Sequence, residues 1–545
     1  EEPPKSLQII VDDIAEVLSV TDVKSILEDY FEEGKGEDPI VHFYETFLTV
    51  YDPSIREKRG VYYTPEPVVG YIVQSVNNLL KMHFDMPDGL ASQNVTLLDP
   101  AAGTLTFPAE AIKVAIKEFT EKYGIGGRNN FIRNQILENF FAFELMMAPY
   151  AIGHLKMSFL LEELGYKLND DERFKLYLTN TLEMDELEQI SIPGLSSLSE
   201  ESHLAGKIKK EQPLLVILGN PPYSGISANT NEWTEKLLKQ NLDGAQSYYE
   251  VDSKPLGERN PKWLQDDYVK FLRFAQWKIQ KAGAGIVGMI TNHSYLDNPT
   301  FRGMRQSLMK TFNEIYILDL HGNSLKKETA PDGGKDENVF DIRQGTAIAI
   351  FVKQKEKTGC KVYYAELFGK RQSKYDWLDT HQLDIKNYQL LKPESPWYFF
   401  VPRNIVKIQY YLKWKRINEI FPVNGVGITT ARDNFVIDFN KSSLLNRIRL
   451  FKNSKFSDKE LHQFFQINKK QGWDIRKAWN TLQEISDNEL EKHIATITYR
   501  PFDNRYIFWH DPVIERTRSE VMRHMMKENL GLITVRQVAE GVFNH

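Results

Sequence analysis

Cysteine is nearly missing from this 545-residue chain: Cys360 stands alone, so neither a disulfide nor a thiolate metal cluster can form within it. That scarcity fits a reducing cytoplasm. Long apolar runs are missing as well. No stretch approaches the roughly 20 residues that cross a bilayer, and no charged-then-apolar leader opens the chain. There is no Walker A loop, internal repeat or low-complexity tract. The chain opens on EEPPKSL without a methionine and stops at GVFNH, which suggests a piece of something longer.

Positive charge in excess is missing only on average. The formal net charge is −6, unlike that of a simple nucleic-acid binder, but the sum hides a gradient. Residues 1–60 carry 15 acidic and 6 basic side chains, a balance of −9, whereas residues 401–545 carry 24 basic and 16 acidic ones, a balance of +8. A basic C-terminal part can meet phosphates while the rest stays acidic; ordinary solvated faces would give the same numbers.

What is present is a clear order of patterns. The length predicts two to four domains. Residues 1–60 read as helical, from apolar residues at helical spacing in IIVDDIAEVL and VKSILEDYFEE. In REKRGVYYTPEPVVGYIVQSVNNLL, Thr64 is a good N-cap and Pro65 suits the first helical position. Then short strands alternate with helices: 95–100, 140–145, 175–183, 214–220, 284–292, 314–322, 346–354 and 361–367. Strands this apolar, separated by helices, predict a mostly parallel, doubly wound α/β sheet. The last two are close enough to pair as an antiparallel hairpin edge. Beyond about 370 the alternation fades into aromatics and arginines, which predicts a second domain with its linker within 371–400.

Ligands of such sheets bind at the carboxyl ends of strands, and three ends here carry informative residues. Asp99-Pro100-Ala101-Ala102-Gly103-Thr104-Leu105-Thr106-Phe107 is a small-residue turn that lets a ligand approach the backbone, without the spacing of a dinucleotide fingerprint. Glu144, closing FFAFE, can accept both hydroxyl protons of a ribose. Asp99 as a turn cap and Glu144 as an exposed strand end are the bland alternatives. The third end is LLVILGNPPYSG, where a buried strand runs into Asn220-Pro221-Pro222-Tyr223. Two prolines forbid helix and ladder alike, so the loop is either a rigid turn with a packed tyrosine or a device. As a device it offers the Asn220 side-chain oxygen and the Pro221 carbonyl to the two protons of one planar amino group. That pulls the nitrogen toward sp³ and localises its lone pair, while Tyr223 gives a flat stacking wall. The partner required is an in-line electrophile such as a sulfonium methyl, and no metal is needed.

These motifs resemble those of amino-methylating DNA methyltransferases that use S-adenosylmethionine, in the order of the gamma class, which makes N6-methyladenine. The resemblance implies a class I methyltransferase fold. It implies that Tyr63, Thr64 and Pro65 help hold the methionine part of the cofactor, and that Asp99 through Ala101, Gly103 and Phe107 form the main cofactor loop. By the same resemblance Glu144 holds the ribose, Asn180 and Leu182 meet the cofactor adenine, and Asn220 to Tyr223 are catalytic. Phe340 is a candidate second residue flanking an extruded base. Two positions depart from the pattern: Leu105 stands where a second glycine is common, and Asn180 where an acid is usual.

The stretches KRGVYYTPEPVV, FELMMAPYAIGHLKM, ITNHSYLDNPTFRGMRQSLM, EIYILDLHGNS, KDENVFDIRQGTAIAIFVK and YRPFD are similar, from about residue 40 onward, to the methyltransferase and specificity part of Type ISP restriction–modification enzymes. That implies a helical coupler at 1–58, a methyltransferase domain at 59–370 and an α+β target-recognition domain at 371–545, truncated at its C-terminus. It implies duplex DNA as partner, and nuclease and helicase-like ATPase parts in the same parent polypeptide. Arg432, Arg505 and Arg536 are candidate base readers, because arginine is the commonest guanine reader; phosphate or surface roles remain open for each. Three rival readings stand: a glutamine methyltransferase of release factors, a recognition module with a weak methyltransferase, and a solitary phage-defence methyltransferase.

Overall fold

The computed structural model describes residues 64–534 apart from 170, 185–195, 224, 226, 228, 259–260 and 468–472. The expected coupler at 1–58, Tyr63 and Arg536 lie outside the described residues. The chain divides into two units, Glu1–Arg403 and Asn404–His545.

The first unit is built on a nine-stranded sheet. In chain order its strands are β1 (Leu97–Asp99), β2 (Phe140–Glu144), β3 (Lys175–Leu178), β4 (Val216–Gly219), β5 (Gly285–Asn292), β6 (Glu314–His321), β7 (Thr346–Lys353), β8 (Lys361–Glu366) and β9 (Gln389–Leu391). Across the sheet they stand in the order β9-β8-β6-β7-β5-β4-β1-β2-β3. Successive strand residues point to opposite faces, and the sequence obliges by being apolar on both. Leu97, Phe140, Val216 and Ile286 enter one core, while Leu98, Phe141, Ile217 and Val287 enter the other. Helices α1 (Glu66–His83), α2 (Thr106–Tyr123) and α3 (Met147–Glu163) cover the first face. Helices α4 (Ser196–Lys210), α5 (Glu232–Lys239), α6 (Asp267–Ala282) and α7 (Arg302–Thr311) cover the second. This is the class I methyltransferase architecture. Because β2 and β4 flank β1 on opposite sides, the crossover direction reverses there, opening a crevice at the carboxyl ends of β1 and β4.

Two expectations need correction. The expected hairpin between 346–354 and 361–367 does not form. Instead β7 inserts between β5 and β6, antiparallel to both, and β8 runs parallel to β6. Seven of the eight β7 residues are buried, so the strand needs a neighbour on each side; β8, with its exposed ends, tolerates a place near the edge.

The domain boundary falls at 403/404 rather than 370/371. Helix α8 (Arg371–Thr380) packs on α1, with Tyr71 and Trp377 ring centroids 5.9 Å apart, and β9 pairs antiparallel with β8. Helix α8 also holds the loop before β7. Arg371 donates to the Asn338 and Phe340 carbonyls, Tyr375 donates to the Val339 carbonyl, and the Lys374 ammonium meets the Asp336 carboxylate at 2.8 Å with both side chains fully buried.

The second unit is α+β. Strands β10 (Ile437–Asp438), β11 (Ile494–Arg500) and β12 (Asp503–Phe508) form an antiparallel sheet ordered β10-β12-β11. Its core gathers Phe435, Phe451, Phe465, Leu482 and Ile507.

Candidate active site

Strands β1 and β4 run side by side, so Asp99 and Asn220 emerge as neighbours. The approach is close enough to require glycine before Asn220: a Cβ on Gly219 would fall 2.6 Å from Asp99 Oδ1. Asp99 is buried, takes the Ala101 N–H on Oδ1 at 3.0 Å, and leaves Oδ2 without a hydrogen-bond partner. Burial pushes its carboxyl up to about 8, helped by the nearby charge of Glu144 and opposed by the Ala101 N–H.

Glu144 is buried rather than an exposed strand end, and its two oxygens accept the Gly103 N–H at 2.9 Å and the Met146 N–H at 2.7 Å. Gly103 turns through φ +53°, and a Cβ there would meet nothing within 4 Å, so the loop has open space above it. Ala101 is half-buried, and Phe107, on the first turn of α2, is buried.

Leu105 takes φ +65° immediately before α2, in the left-handed region that costs a residue with a Cβ about 1–2 kcal/mol. Its side chain points away from the loop into the core, against Gly153 of α3, where an added Cβ would fall 3.2 Å from Leu105 Cγ. Gly153 on the facing helix makes room for the Leu105 side chain.

Asn180 caps its own turn by accepting the Leu182 N–H at 3.1 Å, and its amide donates to Asn229 at 2.9 Å. Leu182 is buried. The segment after the diproline loop is an anchored structure: Asn229 donates to Asp267 at 3.0 Å and Lys270 donates to Ser227 at 2.8 Å, so the start of α6 holds it down.

The Asn220 carboxamide is fixed at both ends. Its Nδ2 donates to Thr64 Oγ1 at 3.0 Å, and its Oδ1 accepts the Tyr223 hydroxyl at 2.7 Å. The expected helix start shifts accordingly: α1 begins at Glu66 with Pro65 as N-cap residue and no side-chain cap, while the buried Thr64 hydroxyl serves Asn220. Tyr223 also lies 3.2 Å from the Ile290 carbonyl. Enclosure by protein raises the Tyr223 phenol well above its ordinary range, so it stays a proton donor. Its ring is flanked edge-on by Phe340 and by Tyr268, each 6.4 Å between centroids. Tyr268 and the Thr64–Asn220 bond are the site features that sequence reasoning missed; neither belongs to a short motif.

A second polar group lies at the carboxyl end of β6. His293 Nδ1 meets Asp319 at 3.0 Å and its Nε2 meets Asn323 at 3.1 Å, with His321 within reach. The ligand-type atoms of His293, Asp319 and His321 lie within 4.8 Å of one another, but both His293 nitrogens are already used in hydrogen bonds.

In the second unit the candidate readers are engaged. Arg432 is buried over the Trp473 ring at 3.8 Å, with Glu515 at 3.9 Å. Arg505 is paired with Asp503 at 2.8 Å and sits 4.1 Å from the ring centroids of both Phe439 and Tyr499. Among the described residues no helix is long and apolar enough to cross a membrane.

Residues 35–265 match the family described as N-6 DNA Methylase. Residues 419–544 match the Type ISP C-terminal specificity domain. The chain therefore has a stretch similar to N-6 DNA methylases, followed by one similar to Type ISP specificity domains. It is similar to the Type II methyltransferase M.BanIII of Aneurinibacillus aneurinilyticus, 27% identical over 229 residues, covering 39% of this chain and 35% of that protein. Among solved structures it resembles the ATP-dependent Type ISP restriction–modification enzyme LlaBIII bound to DNA, at 22% identity and TM-score 0.63, covering 95% of this chain and 36% of that one. A nuclease-deletion mutant of the Type ISP enzyme LlaGI with a DNA substrate mimic aligns at 23% identity and TM-score 0.62, covering 94% and 43%. At these identities the structural likeness is one of fold.

Proposed function

We propose that the protein transfers a methyl group from S-adenosylmethionine to the N6 amine of adenine in duplex DNA, as the modification and specificity part of a larger restriction–modification enzyme. The observation that carries this reading is the Asn220 carboxamide, held by Thr64 at the carboxyl end of β4 beside the Asp99–Glu144 loop. On this reading residues 1–58 are the coupler, the methylase domain runs on to about 403, the remainder reads the target, and the protein works in the cytoplasm.

The residues present fit the cofactor. Asp99 Oδ2 is a buried oxygen without a hydrogen-bond partner, Gly103 leaves space, and the Glu144 oxygens would meet the ribose hydroxyls. Thr64, Pro65, Ala101, Phe107, Asn180 and Leu182 would complete the binding surface. When bound, S-adenosylmethionine supplies an electrophilic methyl on a sulfonium centre. Asn220 Oδ1 and the Pro221 carbonyl accept the two amino protons of the adenine, and Pro221-Pro222 keep that pair rigid. In the base-free protein the Tyr223 hydroxyl donates to Asn220 Oδ1, so the incoming amine takes over an acceptor already in use. Adenine cannot reach this loop from inside a helix and must be turned out of the stack; Tyr223 and Phe340 would flank it.

The test is transfer of a labelled methyl group into unmethylated duplex DNA, followed by nucleoside analysis, with Asn220→Ala alongside. N6-methyladenine that disappears in the variant supports the reading. Label on another base or on protein, or none at all, overturns it.

A further inference from the structure

Strands β11 and β12 form a hairpin in which Arg500 pairs with Asp503 across a two-residue turn, Pro501-Phe502. Proline first and a left-handed residue second make a type II pattern, in which glycine normally takes the second place. Here that place is held by Phe502, at φ +65° and with a relative exposure of 106%. A bulky side chain in that backbone region is an outlier, and a whole phenyl ring in water is a second cost. The fold spends stability twice to hold one ring clear of the surface.

The turn beneath the ring is stiff. Asp503, next to Phe502, grips the Arg505 guanidinium at 3.0 and 2.8 Å, and that guanidinium is sandwiched between Phe439 and Tyr499. Tyr499 lies in the bulge between Thr498 and Arg500 and donates its hydroxyl to Asp433 at 2.8 Å. Arg505 is thereby a strut rather than a free reader of bases. Beside the ring, the exposed Arg500 is the available cation.

We infer that Phe502 is a wedge that inserts between adjacent base pairs of bound duplex DNA, with Arg500 on the flanking phosphates. A single apolar ring on a rigid ribbon, bordered by cationic and polar side chains within a segment of charge +8, suits a base step that opens to admit it. An apolar protein partner would need a broader patch than this ring and the exposed Phe439, whose ring already lies against the Arg505 guanidinium. The inference rests on duplex DNA being the substrate, as proposed above.

The full chain is tested on a labelled duplex bearing its own methylation site, located by mapping N6-methyladenine in DNA that it has modified. Substituting 2-aminopurine at successive positions reports unstacking. Wild type is expected to brighten the probe at the target adenine and at one further step. Phe502→Gly is expected to lose only the second signal, weaken duplex binding about tenfold, in line with the stacking of one base on an aromatic ring, and raise its melting temperature as the strained turn relaxes. Phe502→Tyr is expected to behave as wild type. Equal affinity and an unchanged probe pattern in Phe502→Gly overturn the wedge while leaving the methyltransferase reading intact. A melting temperature that falls in step with affinity also overturns it, because the ring then serves folding. Failure of wild type to bind any duplex overturns both.

Discussion

The candidate site residues of the two units are held in different ways. In the methylase unit Asn220, Glu144 and Asn180 are fixed by directional hydrogen bonds, largely to backbone or to side chains of neighbouring strand ends. In the specificity unit Arg432 and Arg505 are held by aromatic faces and ion pairs. Hydrogen bonds set atoms to within a few tenths of an ångström, as bond-making demands. Stacked guanidinium groups set a surface and leave room for its details to vary.

The strongest way to break this comparison is to remove a fixing charge. Lys374→Met leaves Asp336 buried without its cation and loosens the loop that carries Phe340; a loss of about 3–5 kcal/mol in denaturant unfolding is expected. Next, Asn220→Ala should lower the methyl-transfer rate roughly 10²–10³-fold, as loss of a preorganised catalytic hydrogen-bonding group does. Calorimetry of S-adenosylhomocysteine binding should show no change.

The pH dependence of stability sharpens the point. Asp99 has a folded value of about 8, above its unfolded value, so between the two the native state holds the extra proton. Stability contributed by the neutral carboxyl is full below the unfolded value and is lost as pH rises toward 8, by about 1.4 kcal/mol per pH unit. Asp99→Asn, which keeps an acceptor for Ala101, should flatten that part of the slope in melting temperatures taken from pH 5.5 to 8.5. The smallest effect is expected from Tyr223→Phe, which keeps the ring and frees Asn220 Oδ1 of its internal donor: kcat/KM should stay within about threefold. Tyr223→Ala should cost about tenfold or more through lost stacking.

What was legible in the sequence was whatever is local. Apolar strands, the diproline loop, and Asp99 and Glu144 at strand ends each follow from a few adjacent residues. What was not legible depends on distant pairing. β7 looks like the partner of β8 because the two are near in sequence; its place between β5 and β6 is decided by burial on both faces. The polar stretch around α8 reads as a linker until Lys374 and Arg371 are seen gripping the loop before β7. Leu105 looks like a defect in the cofactor loop until Gly153, 48 residues later, is seen to receive its side chain. Arg432 reads as exposed because the Trp473 ring that covers it belongs to another segment.

The hydrogen bond from Asn220 to Thr64 spans 156 residues of sequence and has a mechanical meaning. Thr64 stands just ahead of α1, so the Asn220 amide is tethered directly to the start of that helix. A shift of Thr64 at the start of α1 reaches Asn220 through one bond, without crossing the sheet. The start of α1 and the amide proposed to act on the base are one link apart.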